Sequence, residues 1–130
     1  LTDYPGGVVA GVETELRARL AELDAAGVDR AQVVLDPGLG FAKTHAQSWE
    51  LLAATSRLIA DLGRPLLVGS SRKRFLAQAA EEGAAPVQRD AVTAATTALA
   101  AAAGAWAVRV HEVPANRAAV RTASLWKEHQ

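Results

Sequence analysis

Three short stretches of this 130-residue chain carry side chains suited to chemistry, and each follows an apolar run. The first is DPGLGFAKT (36–44), where Asp36 stands directly after Val33, Val34 and Leu35. A carboxylate there either caps a turn or meets a ligand, and Asp36, Pro37 and Gly38 taken alone spell a common turn. Gly38 and Gly40 bracket Leu39 and are followed by Phe41, which suggests a loop whose backbone closely approaches something flat. As a G-x-G fragment it lacks phosphate-loop spacing and is weak evidence. The second stretch is GSSRKRFL (69–76), in which Arg72, Lys73 and Arg74 gather at the expected start of a helix. A helix N-terminus already carries roughly half a positive charge, so three cations there are unfavourable unless an anion is present. The alternatives are a solvated basic turn or ion pairs to helix acids elsewhere. The third is VRVHEV (108–113), where strand alternation puts Trp106, Val108 and Val110 on one face and Arg109 and His111 on the other. A lone strand-end histidine is more often structural. An arginine and a histidine two apart on one face are better suited to phosphate oxygens.

The elements that must position these stretches alternate between strand and helix. Val12, Leu16, Leu20 and Leu23 recur at helical spacing within an expected helix over 8–26, stopped at Gly27. A buried strand over 32–35 follows, then a helix over 47–62 with Trp49, Leu52, Leu58, Ile59 and Leu62 apolar, closed by Gly63. A second strand runs 65–69, with Pro65 first, where a missing amide does least damage. A short helix over 73–80 leads into a loop over 81–88. Asp90 is expected to N-cap a helix ending near Ala103, ahead of Gly104. A third strand over 106–110 and a last helix over 115–127 complete the pattern.

Three apolar strands separated by helices predict an α/β chain with a parallel sheet buried on both faces. A complete (β/α)8 barrel takes about 250 residues, so this chain amounts to a little under half of one. An open three-stranded sheet would leave unpaired edges and an exposed apolar face. A small self-contained α/β sandwich is the alternative. In a barrel, Trp106, Val108 and Val110 would pack against the helices, while Arg109 and His111 would point into the mouth. In such folds the chemistry sits beyond the C-terminal ends of the strands, where all three stretches lie.

Composition narrows the function. The 14 basic and 14 acidic residues balance, which argues against a nucleic-acid binder. There is no cysteine, so disulfides and thiolate metal sites are excluded, and a reducing cytoplasm fits. The uncharged stretch 91–108 is mostly alanine and threonine, too weakly apolar for a span of roughly 20 residues. The chain begins at Leu1 rather than methionine, with no leader pattern ahead of the fold, and is expected to be a fragment.

DPGLGFAKT, GSSRKRFL, RDAVTAATTALA (89–100) and VRVHEV, in this order and spacing, resemble the dihydropteroate synthases over about residues 33–126. The resemblance implies the C-terminal half of a (β/α)8 barrel over residues 1–130. The implied enzyme joins 6-hydroxymethyl-7,8-dihydropterin pyrophosphate to p-aminobenzoate in folate biosynthesis, releasing pyrophosphate. By the same resemblance Asp36 and Lys73 bind the pterin, and Arg109, Val110 and His111 form the pyrophosphate pocket. Phe41 and Ser71 lie on the p-aminobenzoate side, and Lys73, Arg109 and His111 carry the catalytic load. Mg²⁺ is implied as cofactor, with no ligand in these residues and its asparagine in the N-terminal half. A homodimer packed through the C-terminal helices, no nucleic-acid or membrane partner, and sulfonamide sensitivity as a family trait complete the implication. The chain departs from the family at Ala42, where glycine is usual, at Ser70, and at Ala77. No serine–histidine pair is evident, consistent with chemistry that needs no protein nucleophile. A pterin-binding methyltransferase and a non-catalytic paralogue serving as a binding or dimerisation module are the competing readings; the first has no use for the two anion-binding stretches.

Overall fold

The computed structural model describes residues 3–130; Leu1, on which the fragment expectation began, lies outside the described residues. Helix α1 (Val8–Ala25) opens the fold and buries Val8, Val12 and Leu20. Helices α2 (His45–Ala53) and α3 (Thr55–Leu62) take the place of the single helix expected over 47–62. The chain breaks at Ala54, where Thr55 Oγ1 turns back to donate to the Leu52 carbonyl at 2.6 Å. A β-branched hydroxyl competing for a helix carbonyl is a known cause of such a break. The start is two residues earlier than expected because Thr44 and Gln47 form a reciprocal capping box, at 3.1 and 2.9 Å. Gly63 closes α3 in the left-handed conformation, as its position suggested.

The strands are shorter than the apolar runs that predicted them. β1 is Leu67–Val68 and β2 is Ala107–Val108, paired in parallel with Leu67 opposite Ala107 and Val68 opposite Val108. The strand expected over 32–35 reduces to one parallel bridge between Leu35 and Leu66. Its beginning is lost because Asp29 accepts the Ala31 amide and winds Arg30–Gln32 into a 3₁₀ turn. Bonds just outside the ladders extend the pairing, from Leu35 N to Pro65 O, Leu67 N to Leu35 O and Arg109 N to Val68 O, all within 3.0 Å. The expected helix over 73–80 is a 3₁₀ segment, Arg74–Ala79, and part of the loop over 81–88 is another, Pro86–Arg89. Helix α4 (Asp90–Ala102) packs along α5 (Val113–Glu128), which starts two residues earlier than expected because Glu112 accepts the Ala115 amide at 2.9 Å.

One face of the sheet carries the core. Leu35, Leu66 and Val68 are at most 5% exposed and pack with Leu39, Leu58 and Phe75. Trp49 stands edge-on to Phe75 at 5.1 Å. Each such side chain contributes about 1.5–3 kcal/mol by leaving water, so the helix-facing side anchors the strand ends. The opposite face is uncovered: Val34 is 38% exposed and Leu67 only half-buried. Among the described residues the sheet is therefore covered on one face only, not on both as expected. Trp106, expected against the helices, is instead 65% exposed, since β2 has no second neighbour among the described residues to support it. Val108 packs against the core as expected, and Val110 is half-buried beside α5. No helix among the described residues is long and apolar enough to cross a membrane.

Candidate active site

Parallel register converts strand pairing into side-chain direction. Because Leu35 and Leu66 share the core face, as do Val68 and Val108, the alternate residues share the open one. That set includes Asp36, Gly69 and Arg109, each at the C-terminal end of its strand. Asp36 is exposed, and its Oδ1 accepts the Gly38 amide at 2.8 Å, which fixes the carboxylate and leaves its second oxygen without a hydrogen-bond partner among the described residues.

The loop after Asp36 is held from within. Ser48 Oγ on α2 accepts the Gly40 amide at 3.1 Å. Lys43 Nζ folds back to the carbonyls of Gly38 and Phe41 at 2.9 and 3.0 Å. That return requires Ala42 to adopt φ +51°, the left-handed region in which a Cβ is costly. Gly40 has φ +79°, and a Cβ there would lie 3.1 Å from Lys73 Cδ. What approaches this glycine is the Lys73 stem. Phe41, 68% exposed, lies under the Lys73 ammonium, 4.8 Å from ring centre to Nζ.

The second stretch resolves its crowded charges individually. Arg72 sits at φ +59° and is pinned from three sides. Its guanidinium forms a two-pronged pair with Asp90 at 2.8 and 3.0 Å, its amide donates to Thr93 Oγ1 at 3.2 Å, and Arg89 donates to its carbonyl at 2.8 Å. Asp90, expected to cap α4, spends its carboxylate on Arg72 instead, and the hydrogen bond from that guanidinium holds Asp90 below the usual aspartate range. The awkwardness of three cations is thus relieved for Arg72 by an ion pair within the protein. Lys73 turns the other way, donating to the Leu39 carbonyl. Burial is the main cause of a lowered Lys73 pKa; the Asp36 charge opposes the shift, while Arg109 and Lys43 add to it. Lys43 is lowered as well, again chiefly by burial. Arg74 is exposed.

Arg109 is exposed on the open face, and His111 turns from the end of β2 toward the neighbouring strand. His111 Nδ1 lies 2.6 Å from Ser71 Oγ, and the His111 amide donates to the same oxygen at 3.1 Å. A serine–histidine pair therefore exists, contrary to the reading from spacing alone, since its members are 40 residues apart and meet only through parallel pairing. Ser71 is buried, its oxygen already accepts a backbone amide, and no carboxylate among the described residues bonds the far side of the imidazole, so the pair lacks the parts of a nucleophilic triad.

Asp36 and Arg109 thus share one open sheet face, and Lys73 reaches it from beyond β1, its Nζ 3.9 Å from where a Gly69 Cβ would stand and within the influence of both charges. They do not share a walled cavity. An open cavity of about 430 Å³ lies on the Phe41 side of Lys73, bordered also by Lys43, His45, Arg74 and Arg89, but neither Asp36 nor Arg109 lines it. A cavity needs walls on both sides, and nothing among the described residues covers that face of the sheet. Lys43 and Ser48, which shape the loop, were missed in the sequence, although Lys43 lies inside the first motif. Thr93, Thr96 and Thr97 were missed too; all three are buried and receive or supply hydrogen bonds at Arg72, Ser70 and Asn116. Their spacing on one face of an alanine-rich helix was the available signal.

The described residues contain no group of three or more His, Asp or Glu side chains able to hold a metal ion. They do not by themselves fit the magnesium that the family resemblance implies.

Comparison with known proteins adds an independent finding. The sequence pattern of the family described as Pterin binding enzyme matches residues 2–111. The dihydropteroate synthase of Mycobacterium leprae is 48% identical over 123 residues, covering 92% of this chain and 43% of that protein. A Xanthomonas albilineans dihydropteroate synthase solved with 7,8-dihydropteroate superposes with a TM-score of 0.86 at 38% identity, over 98% of this chain and 47% of the other. A Yersinia pestis dihydropteroate synthase solved with a sulfonamide drug gives 0.90 at 30% identity, over 99% and 46%. The fold is therefore part of a (β/α)8 barrel, and the chain spans under half the length of these relatives.

Proposed function

We propose, since this chain belongs to the pterin binding enzyme family, that it supplies the C-terminal half of a dihydropteroate synthase. The reaction would be condensation of 6-hydroxymethyl-7,8-dihydropterin pyrophosphate with p-aminobenzoate. The observation that carries this reading is the grouping of Asp36, Lys73 and Arg109 at adjacent strand ends.

In this reading the Asp36 carboxylate accepts from the ring N–H and 2-amino group of the pterin, a guanidine-like pair of donors. Lys73 lies against the pterin, its stem braced over Gly40 and its ammonium between Phe41 and the Leu39 carbonyl. Arg109 and His111, with the Val110 backbone between them, receive the pyrophosphate. The amine nitrogen of p-aminobenzoate bonds to the pterin methylene carbon as that carbon's bond to pyrophosphate oxygen breaks. The electron pair departs on the pyrophosphate, and the amine releases its proton. Catalysis is then electrostatic: fixed cations stabilise the leaving anion and the loop holds the amine in line. Phe41 and Ser71 border the p-aminobenzoate side, and the cationic cavity beside Phe41 suits a carboxylate. Magnesium, when bound, would offset pyrophosphate charge through residues outside this chain, and no step above runs through it.

The proposal extends to a homodimer packed through the C-terminal helices. Leu99 at 73% and Trp126 at 69% exposure, with an apolar groove of about 300 Å³ beside Leu99, support it. A cytoplasmic location fits the absence of cysteine. The test is condensation by the full-length protein that contains these residues. Wild type is expected to form dihydropteroate, and Asp36→Asn and Lys73→Ala are each expected to lose tenfold or more in kcat/KM for the pterin, at least about 1.4 kcal/mol. Wild-type kinetics in both variants would remove the pterin assignment.

A further inference from the structure

We propose that Ser71 fixes His111 in the tautomer protonated at Nε2, so that the neutral imidazole presents a hydrogen-bond donor to an anion at the β2 tip. A count of protons decides the tautomer. Ser71 Oγ meets His111 twice, accepting the backbone amide at 3.1 Å and lying 2.6 Å from Nδ1. Ser71 is 8% exposed, and its hydroxyl has no third partner among the described residues. If Nδ1 carried the ring proton, the oxygen would accept twice and its own hydrogen would be buried with no acceptor, the costly arrangement. If the hydroxyl donates to Nδ1, every proton has a partner. The ring proton then belongs on Nε2, which has no hydrogen-bond partner among the described residues.

The tautomer matters because a neutral histidine is a donor at only one nitrogen, and the bond made by the other decides which. With Nδ1 engaged by Ser71, Nε2–H is the ring's remaining donor, and with Arg109 two residues earlier it would serve one group of anionic oxygens. The other tautomer would present a lone pair to that anion. Ser71 is therefore a positioning residue for His111, acting from the end of β1 on the end of β2. The imidazole arrives pre-oriented, because the same serine oxygen also holds the His111 backbone. This inference rests on the pyrophosphate role proposed for His111 but is decided by a separate observation.

The experiment uses the full-length protein labelled with ¹⁵N-histidine. The His111 resonances are identified by their loss in His111→Asn, and Ser71→Ala and Ser71→Thr are compared with wild type. Wild type is expected to show a pyridine-like Nδ1 and a pyrrole-like Nε2 at a pH where the ring is neutral. Ser71→Ala is expected to mix the tautomers and weaken inorganic pyrophosphate binding by calorimetry three- to tenfold, and Ser71→Thr, which keeps the hydroxyl, to restore both. A pyrrole-like Nδ1 in wild type overturns the proposal. So does an unchanged tautomer in Ser71→Ala, including the case in which only the KM for p-aminobenzoate rises. Tautomer mixing in Ser71→Ala with unchanged pyrophosphate affinity overturns it as well. Because the spectrum needs no turnover, failure to form dihydropteroate would sink the functional reading without deciding this one.

Discussion

Replacing Ala42 by glycine should make the protein more stable. Ala42 is exposed and sits at φ +51°, so its methyl group makes no buried contact to lose. For an L-residue with a Cβ the left-handed conformation costs roughly 1–2 kcal/mol. Glycine escapes that cost but has a more flexible unfolded chain, which returns about 0.4–1 kcal/mol. The balance is a gain of about 0.5–1 kcal/mol, or roughly 2–5 °C in midpoint for a domain of this size. Valine at the same position should go the other way, because a β-branched residue at positive φ is more strained than alanine. Urea unfolding of the three proteins should rank Gly above Ala above Val at constant slope. The same turn lets Lys43 reach the carbonyls of Gly38 and Phe41, so the order should recur in the resistance of this loop to proteolysis. A neutral or destabilising Ala42→Gly, with valine tolerated, would show that the left-handed turn is not the populated one.

Arg72 is strained in the same sense but is secured by Asp90, Thr93 and Arg89. Arg72→Ala should lower the unfolding midpoint more than Arg72→Gly, because both lose the ion pair and only glycine relieves the backbone; the reverse order in urea would contradict this. Glu13, 5% exposed between α1 and α3, has its pKa raised, first by burial and then by Asp61 beside it, against the opposing charges of Arg57 and Arg17. A raised acid contributes its stability while protonated and loses it as pH climbs through the folded-state value. Glu13→Gln should therefore raise stability near neutrality and flatten its decline with pH above the ordinary glutamate range. An unchanged pH–stability curve would contradict the assignment.

The helices were legible because burial imposes a period. Val12 and Leu20 in α1, and Leu58 and Leu62 in α3, became core residues at the spacing that announced them. Strand ends were less legible, since an apolar run becomes a ladder only where a partner lies alongside. Val33 and Val34 are as strand-like as Leu66 and Leu67, yet only Leu35 of the first run makes a bridge. Candidate site residues could be listed from motif order, but the bonds among them could not. Ser71 and His111 are 40 residues apart, and Arg72 and Asp90 are 18 apart. No local pattern reports which strand tip neighbours which, so a hydroxyl and an imidazole in separate motifs give no sign that they touch. Asp90 illustrates the same limit, for an acid at a helix start is a cap until a guanidinium competes for it.

Whether the strand tips serve one ligand is decided by calorimetric titration of the pterin pyrophosphate into the full-length protein and its Asp36→Asn, Arg109→Ala and doubly substituted variants. One ligand spanning neighbouring strand tips should lose at least tenfold in affinity with each single change, while Arg109→Ala alone should weaken inorganic pyrophosphate and Asp36→Asn should leave it unchanged. Unaltered pterin pyrophosphate affinity in either single variant would mean that the two strand ends do not serve one ligand.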